Sequence, residues 1–172
     1  MKKTVLSLLV VLTVCSVQTV NAQETETIPE STAPAYKAAI GIRLSSSQAI
    51  VNNSISFKYF FQENKAIEAL LSLGDPLAIG ALYELHKPIG AAEGLRWFYG
   101  GGAYLGFVKT YNVNKDHNET IPNFGAQGVV GLDYKFSNIP LNLAIDWKPE
   151  LNLVEDINFE PAVIGLTARF TF

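Results

Sequence analysis

The chain has 172 residues and is nearly balanced in charge, with 13 Lys and Arg against 16 Asp and Glu and a formal net charge of −3. No long basic run occurs, which argues against a nucleic-acid partner. The single cysteine excludes an internal disulfide framework and a cysteine-built zinc cluster.

The first element is an export signal over residues 1–22. Lys2 and Lys3 supply the positive start, an apolar run follows from Val5 to about Val17, and Val20-Asn21-Ala22 offers small residues for a signal peptidase. The run is too short to cross a bilayer as a helix, which takes roughly 20 apolar residues. Cys15 lies inside this signal, and Leu12-Thr13-Val14-Cys15 departs from a lipoprotein box at Val14, where that box needs a small residue. Cleavage after Ala22 leaves a thiol-free mature chain long enough for one domain. Residues 23–34 (QETETIPESTAP) are acidic and rich in Pro, Ser and Thr, a flexible leader with almost nothing to bury. After the signal no stretch is long and apolar enough for a transmembrane helix, yet mean hydropathy is +0.17.

From residue 35 to 172 the dominant period is two, the signature of strands with unlike faces. Eight strands are expected: Tyr36–Ser45, Asn53–Gln62, Lys65–Leu73, Leu77–His86, Leu95–Val108, Phe124–Phe136, Pro140–Lys148 and Ala162–Phe172. One parity carries runs such as Ile55, Phe57, Tyr59, Phe61 and Leu141, Leu143, Ile145, Trp147, free of charge, amide and aliphatic hydroxyl. The other carries the strand charges Arg43, Lys58, Glu68, Glu84, His86, Arg96, Asp133, Lys135, Asp146, Lys148 and Arg169. Between these stand small residues, among them Gly41, Ser56, Gly100, Gly131, Ala144 and Gly165.

Alternation alone does not say which face points outward, because a soluble lipocalin-type barrel alternates too, with its apolar side inward. The polar face decides. A water-facing surface is crowded with long Lys and Glu side chains, whereas this one is mostly Gly, Ala and Ser with isolated charges. An eight-stranded barrel has an interior that side chains fill, and small residues with paired charges fit that space. The apolar face then meets lipid, where one Arg at mid-depth would cost about 2–4 kcal/mol. The fold expected is an all-β, closed antiparallel eight-stranded transmembrane barrel, since no sheet edge can be left open in a bilayer.

Connections after strands two and six are tight, and Lys87–Gly94 after strand four is moderate. Two of the alternating connections, Lys109–Asn123 and Pro149–Pro161, are long; the Gly74-Asp75 turn is a short exception. Outer-membrane barrels keep short turns in the periplasm and longer loops outside, so both chain ends are expected in the periplasm. Aromatics gather near strand ends (Tyr59, Phe61, Tyr83, Trp97, Tyr134, Phe136 and Phe170 at one level; Phe107, Phe124 and Trp147 at the other), as interfacial girdles do.

The terminal run Ile164-Gly165-Leu166-Thr167-Ala168-Arg169-Phe170-Thr171-Phe172 resembles the last strand of bacterial outer-membrane barrels, which end in phenylalanine with apolar residues at every second position. The chain from residue 35 resembles the small OmpA-barrel/OmpX type, and the signal and strand style resemble Bacteroidetes members. The resemblance implies that Phe172 and Phe170 form an assembly signal read by the barrel-assembly machinery. It does not extend to a peptidoglycan-binding domain, for which the chain has no room.

The inward charges are expected to pair. Lys58 and Glu68 flank one tight turn almost symmetrically, and Glu84 and Arg96 stand in a similar relation about Lys87–Gly94. A structural salt-bridge network plugging the barrel is the main expectation; a gated ion path through the same charges is the alternative. Some barrels of this size modify lipid A with a His and a Ser at the outer leaflet, but His86 lies toward the opposite end, faces inward and has no nearby serine. His117, with Asp116 and Glu119, lies in a long loop and makes a weak metal set. No catalytic residue, cofactor or metal is expected. The function expected is a monomeric structural or surface-interaction barrel set in outer-membrane lipid.

Overall fold

The computed structural model describes residues 36–46, 49–90, 92–112, 117–154, 157–161 and 163–172, with the backbone alone over 110–112 and 117–119. The signal, the leader and the Asp116–His117–Glu119 side-chain set lie outside the described residues. Ten strands occur among the described residues: β1 Ala38–Ser45, β2 Ser54–Gln62, β3 Lys65–Ser72, β4 Leu77–Pro88, β5 Leu95–Asn112, β6 His117–Lys135, β7 Leu141–Trp147, β8 Glu150–Asn152, β9 Asn158–Glu160 and β10 Ile164–Thr171.

Neighbours pair antiparallel from β1 to β7, β10 lies between β7 and β1, and the eight long strands close into a barrel. At the seam Ala39 stands opposite Thr171, and beyond it the backbones of Ala38 and Phe172 exchange hydrogen bonds of 2.9 and 2.8 Å. Closure leaves the long strands without an open edge through the apolar zone, which is what a saturated backbone requires.

The alternation in sequence becomes a wall with two faces. In β2 Ile55, Phe57, Tyr59 and Phe61 are exposed while Ser54, Ser56, Lys58 and Phe60 are buried, and β3, β4, β7 and β10 alternate the same way. Exposed and half-buried aromatics cluster at the end bearing the short turns, where Phe61 meets Tyr83, Trp97 meets Tyr99 and Tyr134 meets Phe136 at centroid distances of 6.0, 5.1 and 4.8 Å. Lys87 lies 5.5 Å over Trp97 there.

Two expectations are corrected. Lys109–Asn123 is not a long loop: β5 and β6 stay paired past the barrel, from Val108 opposite Ile121 to Asn112 opposite His117. A two-stranded ribbon satisfies its own inner hydrogen bonds, so it continues where the other strands stop. Pro149–Pro161 likewise contains β8 and β9, which add to β6 through Ala126 opposite Leu151 and then Leu151 opposite Phe159. The β3–β4 connection stays short, as expected.

Candidate functional site: the barrel lumen

The lumen is filled in layers, each set by inward positions of neighbouring strands. At the short-turn end Tyr36, Ala39, Phe60 and Ala66 form an apolar floor. The Phe60 ring meets His86 at 4.7 Å, and His86 stacks on Phe98 at 5.0 Å. Arg96 donates to the Glu63 carbonyl at 3.2 Å.

Next comes an ionic layer. Lys58 Nζ lies 2.8 Å from Glu84, 3.5 Å from Glu68 and 3.6 Å from Asp133. Arg169 works from the opposite wall: Nη2 donates to Glu68 at 2.5 Å, Nη1 to Asn142 at 3.0 Å and Nε to Ser56 at 2.7 Å. Asn142 in turn donates to Asp133 at 2.7 Å, Tyr36 donates its hydroxyl to the same carboxylate at 3.2 Å, and His86 Nε2 lies 2.9 Å from Glu84. Three carboxylates thus share two cations and several neutral donors. Such groups are stable out of water only when paired and hydrogen-bonded.

Toward the long-loop end Leu70, Leu82, Phe98, Val129 and Ala144 make an apolar layer with Val51, Ala78 and Tyr104, and Ile50 packs against it. Val51 is fully buried although it belongs to the β1–β2 connection. That connection therefore folds into the barrel mouth. Two further ionic groups share this half. Arg43 forks onto Asp146 through Nε and Nη2 at 3.1 and 2.5 Å. It reaches across β10 at Gly165, where any Cβ would run into the guanidinium. Lys148 bonds Gln127 at 3.0 Å and Glu150, and Glu150 accepts the Ile50 N–H at 3.1 Å.

Of the two pairs expected to meet, Lys58 and Glu68 lie 3.5 Å apart, while Glu84 and Arg96 do not stand opposite one another. Glu84 bonds Lys58 and His86, while Arg96 stands opposite Asp133 and Pro88 in register; the hairpin between β4 and β5 is longer on the β4 side than symmetry about its centre assumes. Lys135 is half-buried at the rim, where its ammonium donates to the Phe136 and Ile139 carbonyls of the β6–β7 turn. Tyr36, Ser56, Gln127, Asn142 and Glu150 complete the lumen contacts without having been singled out. Gln127 and Asn142 were visible as inward polar positions; Glu150 lay in an expected loop.

A solved structure shares this architecture. The chain is similar to the N-terminal β-barrel domain of Pseudomonas aeruginosa OprF, with a TM-score of 0.57 and 16% identity over 78% of this chain and 96% of that one. The shared fold is a closed antiparallel eight-stranded β-barrel. No protein-family model matches the sequence, and no curated protein matches it significantly. In the barrel seen here the lumen is split into ionic and apolar layers, the β1–β2 connection reaches into the mouth and β8 pairs with β9.

Proposed function

We propose that this chain is a monomeric outer-membrane barrel whose lumen is closed by its own side chains and whose long-loop end meets surface partners. One observation carries the reading: the outer wall is apolar around a closed barrel while the strand charges of the lumen turn inward. Ile42, Ile67, Ile79, Leu132, Ile145 and Leu166 are exposed on different strands of that wall. In water such a continuous band would aggregate; in lipid it is the ordinary outer surface of a barrel. The short-turn end with both chain termini then faces the periplasm, export runs through residues 1–22, and the Bacteroidetes-like character belongs to the same reading. The protein acts as a scaffold rather than as an enzyme.

Two measurements test it. Fractionated cells should carry the mature chain in the outer membrane, and the refolded protein in planar bilayers should give no steady conductance above the lipid background. Discrete channels of uniform size would replace a plugged barrel by a narrow pore.

The assembly signal makes a separate prediction. The Phe172 side chain is exposed, but its backbone pairs with Ala38 at the seam. Deleting the residue would remove both effects, so Phe172→Ala is the cleaner change. The lost aromatic burial is worth about 1–3 kcal/mol at most, and refolding into detergent should stay nearly intact. Folded barrel in cells should fall several-fold, because the assembly machinery reads the unpaired final strand before folding. Equal losses in both assays would reduce Phe172 to a packing residue.

A further inference from the structure

The apolar stripe of β7 runs on past the end of that strand. Leu143, Ile145 and Trp147 are exposed on its outer side, and the same parity continues through Pro149, Leu151 and Leu153. Lys148 and Glu150 between them are buried, and Glu150 and Asn152 line the mouth with Asn158 and Glu160 of β9. Pairing with β6 keeps the two faces in step. Gly128 donates its N–H to the Pro149 carbonyl at 3.0 Å, Leu151 stands opposite Ala126, and the Leu153 N–H reaches the Phe124 carbonyl at 3.1 Å. β9 then sets Phe159, 56% exposed, opposite Leu151, with Ile157 two residues away at 78%. The Trp147 indole donates to the Pro161 carbonyl at 2.5 Å and so ties the top of β7 to the arm that carries β9.

The height of this stripe differs round the barrel. From Leu141 to Leu153 a strand rising roughly 3.3 Å per residue and tilted about 40° gains about 30 Å along the barrel axis, more than the apolar band of about 25 Å usual in such barrels. On β2 the outward run is only Ile55 to Phe61, closed on the same parity by Asn53 and Glu63. On β3 it is Ile67 to Leu73, closed by Lys65 and Asp75. By the same measure each of these gains about 15 Å. β2 and β6 stand on opposite sides of the closed wall. The upper rim of the apolar surface therefore slopes, low at β2 and β3 and high where β8 and β9 join β6.

We propose that outer-leaflet lipid covers the outward face of β8 and β9, so that bilayer contact climbs higher on this side of the barrel than beside β2 and β3. The inference rests on the membrane reading above and adds where the lipid edge runs. Leu153, Ile157 and Phe159, next to the exposed Phe124, make an apolar surface of the kind that marks a contact rather than a water-facing loop. Lipid suits it better than a second copy of the chain. A protein-binding patch is bounded by a polar rim, whereas this face continues the wall in one sheet and on one parity, with no polar side chain between Trp147 and Leu153 on the outer side. An apolar surface of uneven height is accommodated by tilt or by a local change in bilayer thickness.

The test uses the chain from Gln23 onward, which contains no cysteine. It is refolded into phosphatidylcholine vesicles with one nitroxide label at a time, attached after Leu153→Cys, Phe159→Cys, Ile145→Cys or Asp75→Cys. Dissolved oxygen concentrates in hydrocarbon and a nickel chelate stays in water, so relative collision rates report what covers each label. The labels replacing Leu153 and Phe159 should favour oxygen several-fold more than the one replacing Asp75, and less than the deep one replacing Ile145. Nickel access at Ile145 would defeat the membrane reading itself. Lipid at Ile145 with nickel access at Leu153 and Phe159 would defeat this inference alone. Shielding of those two labels from both reagents would assign the face to a second copy and overturn it as well. Each of the two positions decides by itself, so poor folding of one variant leaves the other to answer.

Discussion

Arg169→Met is expected to destabilise the barrel by about 3–5 kcal/mol, the usual penalty for leaving a buried charge without its partner. Arg169 is 1% exposed and bonds Glu68, Asn142 and Ser56, with Asp133 at 3.8 Å. Methionine fills much of the same space, so the loss is electrostatic more than steric. Without the guanidinium, Lys58 alone faces Glu68, Glu84 and Asp133. Pairing Arg169→Met with Glu68→Gln removes one stranded carboxylate and should recover a substantial part of the loss, a coupling that a double-mutant cycle reads directly. Urea unfolding in lipid vesicles provides the measurement. A single variant as stable as the parent would mean that the ionic layer is dispensable.

The second large effect concerns the outer wall. Val130→Arg and Leu143→Arg each put a charge on an exposed position in the interior of a long strand. Within the hydrocarbon span each should cost up to about 2–4 kcal/mol, the midplane value, and reduce folded protein in the outer membrane. The inward neighbour Ala144, buried opposite Asp133, supplies the contrast. Ala144→Ser should be tolerated, since the hydroxyl is small and has polar groups nearby. Wild-type levels of both arginine variants would show that the wall does not face hydrocarbon.

The strands and their two faces were legible because the outer wall and the lumen impose opposite demands on successive residues. Ile55 to Phe61 illustrates this, each outward residue separated from the next by an inward Ser, Lys or Phe. Other features carried no such signature. The extension of β5 and β6 runs through polar sequence, where neither face has an apolar environment to mark it. Ala49-Ile50-Val51 reads as a short apolar run in a loop; only its long-range contacts show that it enters the mouth. Leu70, Leu82 and Phe98 share the parity of the charges, so attention to the charges hid the apolar layer. Pairings such as Lys58 with Glu84 depend on registers and side-chain reach that hairpin symmetry does not supply.

The seam between β1 and β10 has a consequence for the timing of biogenesis. Its register joins the first strand to the last, Ala39 to Thr171, so it is among the longest-range pairings the chain makes. Contacts of such high order form slowly, because the entropy of closing the intervening chain is lost before any bond returns it. Until the last residues are in place, β1 has only β2 beside it and the chain carries a raw strand edge along with its apolar face. Those are the features that drive edge-to-edge aggregation. The interval before closure therefore exposes the chain to aggregation, and a chaperone that shields the waiting edge would raise its yield without altering the finished barrel.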